Sequence, residues 1–284
     1  MIELSWWMYS IILFIISFIL GMFVVMAGVG GGVLYTPLVS GFFPFHLDFV
    51  RGTGLFVALA GSIAAGPGLL KRGLADLRLS MPFALVASVF SIIGSFIGLA
   101  LPSWLVQTLI GVTVITLAIV MTVGKKVEFP ETKEPDRLSK TLAIYGFYYD
   151  ENLRKIVEWR VQRGAQSLLM FAVIGLIAGM FGLGAGWINV PVLSIFMGIP
   201  LKIAAGTSKF LISITDSSAA WVYLNNGCVI PLITVPSVLG VMLGSYYGVA
   251  IMAKASPKVI RVAVVTILLI GGIRSLLKGL GIWI

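Results

Sequence analysis

Apolar and polar positions follow one another along this chain in long blocks rather than in the short periods of a soluble fold. Apolar runs near the bilayer-crossing length of about 20 residues cover 8–27, 52–70, 79–101, 104–123, 166–184, 203–224, 229–253 and 257–282. The pattern predicts an all-α integral membrane protein with about eight transmembrane helices. Two further apolar pieces, 33–44 and 187–199, are too short to cross. Backbone polar groups must be satisfied inside hydrocarbon, so a short piece entered through glycines predicts a half-helix or re-entrant element shielded by protein. Residues 11–26 lack a preceding basic region and lead into a repeated element, so they read as the first span and not as a signal peptide.

The blocks occur twice. Gly28-Val29-Gly30-Gly31-Gly32, with Tyr35 and Pro37 after it, returns 154 positions later as Gly182-Leu183-Gly184-Ala185-Gly186, with Asn189 and Pro191. The same gapless offset pairs Ser40 with Ser194, Gly52-Thr53 with Gly206-Thr207, Pro82 with Pro236 and Ser91 with Ser245. Duplicated halves with Gly/Pro-interrupted apolar segments are a frequent build of membrane transporters, whose substrate site lies where the halves meet. The expected organisation is a first transmembrane repeat over 1–124, a connector over 125–164 and a second repeat over 165–284. An odd number of passes per half would make the repeats inverted, and an even number parallel.

Composition agrees with the block pattern. At 59% hydrophobic and 11% charged residues, with a mean hydropathy of +1.07, the chain has too little polar surface to cover a soluble globule. The net charge is +9, and residues 125–163 hold nine of the Lys and Arg residues and seven of the Asp and Glu residues. Basic residues that flank apolar segments act in topology through the positive-inside rule, and a contiguous basic face for nucleic acid is missing. The connector is therefore expected in the cytoplasm, on the side of Lys71, Arg72 and Arg78. Under a simple eight-span count Lys254, Lys258 and Arg261 fall outside, which fits less well. Within the connector, alternating Val157, Trp159 and Val161 favour a small β-hairpin, and an amphipathic interfacial helix over 150–163 is the alternative. A lone Cys228 and a lone His46 exclude an intrachain disulfide and any multi-Cys or multi-His metal site, so no cofactor or metal is expected.

Four groups of residues carry candidate chemistry. Gly28, Gly30, Gly31 and Gly32, with Gly184 and Gly186 in the second half, could expose backbone groups to a ligand, or could serve only close helix packing. No strand precedes the run and no Lys closes it, so it is not a nucleotide fingerprint. Arg51 and Thr53, and Thr207, Ser208 and Lys209, are expected to open spans. There they could cradle an anion, or simply cap helices. Lys209, Ser213 and Asp216 follow at helical spacings on one face, with Asp216 near the middle of an apolar run. An intramembrane carboxylate is a candidate proton carrier or counter-charge, and the plainer alternative is an ion pair with Lys209 or Arg274. Tyr35 and Asn189 precede the prolines and could donate hydrogen bonds to an oxyanion or glue helices together.

At these residues the chain resembles the sulfite exporter TauE/SafE family, of the 4-toluene sulfonate uptake permease type, over nearly its whole length. The similarity lies in Gly28 to Gly32 followed by Pro37, in the second run followed by Ala205-Gly206-Thr207-Ser208, and in Tyr148-Tyr149-Asp150 of the connector. Ala185 stands where a third consecutive Gly is usual, and Gly54 where a polar residue often follows Thr. The resemblance implies movement of a small sulfur-containing anion, such as sulfite, a sulfonate or sulfoacetate, across the bacterial or archaeal cytoplasmic membrane. Both lines of reading point to a secondary transporter working by alternating access, with Asp216 as the proton-coupling residue, the lipid bilayer as its surroundings and a second copy of the chain as a candidate partner. The alternatives are a passive anion channel, a membrane-embedded enzyme and an assembly scaffold. An enzyme is disfavoured because His-Glu-x-x-His and Gly-x-Ser-x-Gly are both missing.

Overall fold

Long aliphatic runs can satisfy their backbone in apolar surroundings only as helices, and helices make up nearly all of this chain. The computed structural model describes residues 6–27, 30–71, 73–123, 139, 144–150, 155–252 and 257–282. The first part comprises α1 (Trp6–Ala27), a short α2 (Gly31–Phe42), α3 (Leu47–Lys71), α4 (Leu77–Ala100) and α5 (Ser103–Val123). A hairpin of β1 (Tyr145–Asp150) and β2 (Lys155–Arg160) follows. The second part comprises α6 (Gly164–Phe181), a short α7 (Gly186–Pro191) continued by a π-helical turn over Val192–Phe196, then α8 (Leu201–Asn225), α9 (Pro231–Met252) and α10 (Pro257–Gly279).

Among the described residues six helices are long and apolar enough to cross a membrane: α1, α3, α4, α5, α6 and α10. The expected eight spans include the regions of α8 and α9 as well. Helices α8 and α9, of 25 and 22 residues, have the length. Lys202, Lys209, Asp216 and several Ser and Thr residues dilute α8. The distribution of side chains is that of a protein solvated by lipid: Leu85, Leu169 and Leu239 are exposed, whereas Ser91, Ser95, Ser237 and Ser245 are buried.

The helices pack in pairs whose directions can be read from contacts along their lengths. Helices α1 and α9 run parallel, with Ser10 donating to the Leu232 carbonyl at one end and Gly21 against Val241 and Ser245 further on. Helices α4 and α6 are also parallel, with Gly175 on Ala87, Gly179 on Ser91 and Gly98 on Met180. Missing side chains let these backbones touch, which is how helices gain contact where no hydrophobic effect drives them together. Helix α3 runs parallel to α9, with Thr53 on Thr234 and Gly61 near Val241 and Ser245. It runs antiparallel to α8, with Gly52 on the Cys228 carbonyl at one end and Gly206 on the Leu74 carbonyl at the other. Helices α5 and α10 are antiparallel, with Thr108 on Gly279 and Gly111 on Leu276.

Two consequences follow. Helices α1 and α3 run in the same sense, and between them α2 lies antiparallel to α3, with Gly31 on Val57 and Thr36 on Gly54. The same holds for residues 182–185 and α7 between α6 and α8. Along each part successive segments therefore alternate in direction, and α6 runs opposite to α1. The α9–α10 junction then lies at the same end as the α3–α4 loop and the start of α6. The backbone positions of Lys258 and Arg261 at the start of α10 therefore lie at the end of the other basic loops, and Lys254 lies outside the described residues.

The hairpin sits at that end. Its strands pair antiparallel, Tyr145 opposite Arg160 and Asp150 opposite Lys155, so residues 155–160 are extended and not an interfacial helix. Buried Trp159 anchors it against the core made by Phe83, Phe171, Leu193 and Ile199.

Candidate functional site

The breaks in the helices set the geometry. Gly30 is extended, with φ −70° and ψ 145°, and α2 starts immediately after it without a side-chain cap. Helix α6 ends at Gly182, whose φ is +64°, and Gly184 follows with φ +70°. L side chains rarely adopt that left-handed conformation, so glycine is what allows the chain to turn back here. The starts of α2 and α7 then abut: the Gly30 backbone lies against Gly186, with Ile212 of α8 beside both. Val57 and Ile212 lie near the middles of α3 and α8, so the two short helices meet deep in the structure and diverge from there.

The glycines are packed closely. A side chain on Gly32 would meet the carbonyls of Leu183 and Gly54, one on Gly186 the Gly30 backbone, and one on Gly184 the Asp216 carboxylate and Ala58. Gly31 lies on Val57. Gly28 lies outside the described residues. Close backbone approach is therefore the visible task of these positions, and polar groups for a ligand have to come from neighbouring side chains.

The structure distributes the side chains proposed from sequence over several places. Helix α3 starts at Leu47 and α8 at Leu201, so Arg51, Thr53, Thr207, Ser208 and Lys209 lie inside helices and do not open them. Polar Asp48 and Lys202 had shortened the apolar runs on which the expected starts rested. Thr53 exchanges a hydrogen bond with Thr234 at 2.8 Å, and Thr207 accepts one from the Asp76 backbone N–H at 3.2 Å. Tyr35 shares a hydrogen bond with Ser237 at 3.0 Å. Arg51 is 1% exposed, paired with Asp48 and donating to the Met180 carbonyl at 2.8 Å, with its guanidinium 5.5 Å from the Tyr223 ring centre. It ties α3, the end of α6 and α8 together. Nearby, burial and then the Asp48 carboxylate push the Cys228 thiol up, while Arg51 opposes them.

A different environment surrounds α7 and α8. Asn189 is 1% exposed, and neither its amide oxygen nor its nitrogen has a partner. Asp216 is fully buried, lies against the Gly184–Ala185 turn, and has the Ala185 N–H and the Lys209 ammonium as its electrostatic neighbours. Neither carboxylate oxygen completes a hydrogen bond. Ser208, Thr215 and Ser62 also bury hydroxyls without partners. Ser17 and Ser88 do the same elsewhere; buried polar atoms are satisfied in the large majority of cases, so the exceptions at Asn189 and Asp216, on two elements packed against each other, mark a place where a ligand or water belongs. Arg274, the other partner considered for Asp216, instead donates to the Gly41 carbonyl and lies over the Phe42 ring. Of the residues chosen from sequence, Gly30, Gly184, Gly186, Lys209 and Asp216 come together. Sequence reasoning passed over Ser62, although the offset of the repeat places it at the position of Asp216.

Comparison with known proteins agrees with this architecture. A family model described as Sulfite exporter TauE/SafE matches residues 13–275. A probable membrane transporter protein of Methanocaldococcus jannaschii is 26% identical over 281 residues, covering 94% of this chain and 95% of the relative. The probable membrane transporter protein YunE of Bacillus subtilis is 22% identical over 277 residues, covering 95% and 98%. No solved structure matches.

Proposed function

The chain belongs to the sulfite exporter TauE/SafE family, and we propose that it is a secondary transporter for a small sulfur-containing anion of the sulfite, sulfonate or sulfoacetate type. It spans the bacterial or archaeal cytoplasmic membrane as two inverted repeats of four crossing helices and one broken segment each, with the basic connector inside. The reading rests on one observation: the starts of α2 and α7 meet head to head, beside the buried Asn189, whose amide has no hydrogen-bond partner, and the buried Asp216. Half-helix starts near the bilayer middle bring backbone N–H groups and positive dipole ends toward an anionic group. Gly30, Gly31, Gly32, Gly184 and Gly186 let the two backbones approach. Asn189, Ser208 and Lys209 supply donors, and Asp216 couples transport to protons. Arg51, Thr53, Tyr35 and Thr207 are spent on partners within the protein and hold the frame around the site.

Alternating access follows if the two repeats exchange conformations, so that the site faces first one side and then the other. Reconstitution into proteoliposomes tests the reading. Saturable uptake and counterflow of labelled sulfite or a sulfonate are expected, and ohmic anion currents without counterflow would convert the carrier into a channel. A response to carboxylates or cations alone would remove the sulfur-anion assignment.

A further inference from the structure

The charges around the candidate site form a closed set. On α8, Lys209 is 4% exposed and Asp216 fully buried, two helical turns apart and each an electrostatic neighbour of the other. The other charges on α8 and on the elements packed against it lie toward their ends. Lys202 is in the first turn of α8. On α3, Asp48 and Arg51 pair with each other near its start, and Lys71 ends it. Arg78 opens α4, and α6 and α7 carry no charged residue within their helices. Asp76 caps the start of α4, its carboxylate accepting from the Leu79 N–H and its own N–H on Thr207, so among the described residues Lys209 and Asp216 are the charges that lie inside this part of the bundle and balance one another there.

A substrate anion entering this place would leave a net negative charge in a desolvated interior, at an effective penalty of several kcal/mol per uncompensated ion. The pair can remain neutral in only one inexpensive way, which is for the carboxylate to take a proton as the anion arrives. We infer that Asp216 is a resident anion that holds Lys209 in the empty transporter and releases it by accepting a proton when the substrate anion binds, so that anion and proton travel together. This rests on the anion-transport reading above.

Geometry supports the exchange. The Asp216 oxygens lie against the Gly184–Ala185 turn, with the Ala185 backbone N–H as the nearer influence on the carboxylate and the Lys209 ammonium as the weaker one, so the carboxylate stays in place when its hold on Lys209 is given up. Once protonated, it becomes a donor to the oxyanion that displaced it, alongside the free amide of Asn189 and the hydroxyl of Ser208. The first half lacks the device, since the offset of the repeat puts Ser62 and Leu55 where Asp216 and Lys209 stand.

The test uses the full-length protein in detergent, with sulfite, thiosulfate and methanesulfonate as probes; the last two do not titrate near neutral pH. In weakly buffered solution, binding of a probe is expected to take up about one proton per monovalent anion, and affinity to fall about tenfold per pH unit on the alkaline side. Asp216→Asn is expected to bind with no proton uptake and no pH slope, and to lose accumulation driven by a proton gradient. Binding without proton uptake by the unaltered protein overturns the inference even if the variant does not fold, and so does an Asp216→Asn protein that keeps the original pH slope. Failure of all three probes to bind removes the anion reading itself, and this inference with it.

Discussion

The two short segments begin alike and end differently. Residues 31–42 form a regular helix in which Tyr35 is bonded to Ser237 and Thr36 donates to the Gly182 carbonyl at 2.8 Å. The far end is capped by side chains: Lys278 donates to the Ser40 carbonyl at 2.9 Å, Gln107 to the same carbonyl at 3.1 Å, and Arg274 to Gly41 at 3.0 Å. Residues 186–196 form six α-helical residues and then a π turn. The position of Tyr35 is taken by Asn189, which has no partner. The far end of this segment is closed by backbone, with Gln162 donating to Met197 at 2.9 Å and Ile199 to Leu193 at 3.0 Å. One glycine-proline frame thus serves two purposes: the first copy uses its polar groups to fix itself, and the second leaves them available. Single π turns inside helices are often found at functional sites, which fits a division between a fixed half and a ligand-facing half.

Substitutions at equivalent positions can break or sharpen that contrast. The largest effect is expected where the frame is shared. Gly32→Val would press on the Leu183 and Gly54 carbonyls and Gly186→Val on the Gly30 backbone, so each should cost about 3 kcal/mol or prevent folding. Gly68→Ala, with open space around it, should leave stability unchanged or raise it by up to about 1 kcal/mol. Thermal unfolding in detergent measures all three, and damage from only one of the two valines would show that the frame is not shared.

Next in size is Arg51→Met, which leaves Asp48 and the Met180 carbonyl without their partner and should cost about 3 kcal/mol. Substrate affinity of the folded fraction should be unchanged; a selective loss of affinity would return Arg51 to the binding site. The paired replacements Tyr35→Phe and Asn189→Ala should move in opposite directions. The first loses a buried hydrogen bond worth about 1 kcal/mol and keeps transport. The second removes an unsatisfied amide, so stability should hold or rise while transport falls at least about tenfold, a differential interaction of about 1.4 kcal/mol. Equal behaviour of the pair would erase the distinction between the halves. The smallest effect is expected from Lys278→Gln, which weakens the α2 cap by about 0.5 kcal/mol and should lower the unfolding temperature slightly without touching affinity.

Much of this was legible in the sequence. The short apolar pieces at 33–44 and 187–199 correspond to helical segments at 31–42 and 186–196, because apolar length and glycine breaks are local properties. The Lys209–Asp216 pairing was also visible, since helical spacing alone puts both on one face. Helix starts were less accurate, because Asp48 and Lys202 interrupt hydropathy without interrupting the helix. Arg51 looked like an anion ligand because its partners, apart from Asp48 three residues before it, are a carbonyl on α6 and a ring on α8, which no local pattern reveals.

By itself the sequence determined that the chain is helical, that it belongs in lipid, where its broken segments lie, and that one carboxylate sits in an apolar run. All of these depend on residue type and on spacing within about 25 residues. Only the tertiary structure decided which helices run parallel, on which end each basic loop lies, that Gly30 meets Gly186, and which hydroxyls and amides are left without partners. Those outcomes depend on contacts between residues more than a hundred positions apart. A hydrogen bond such as Thr53 to Thr234 is fixed by the packing of whole helices and leaves no trace in the neighbourhood of either residue.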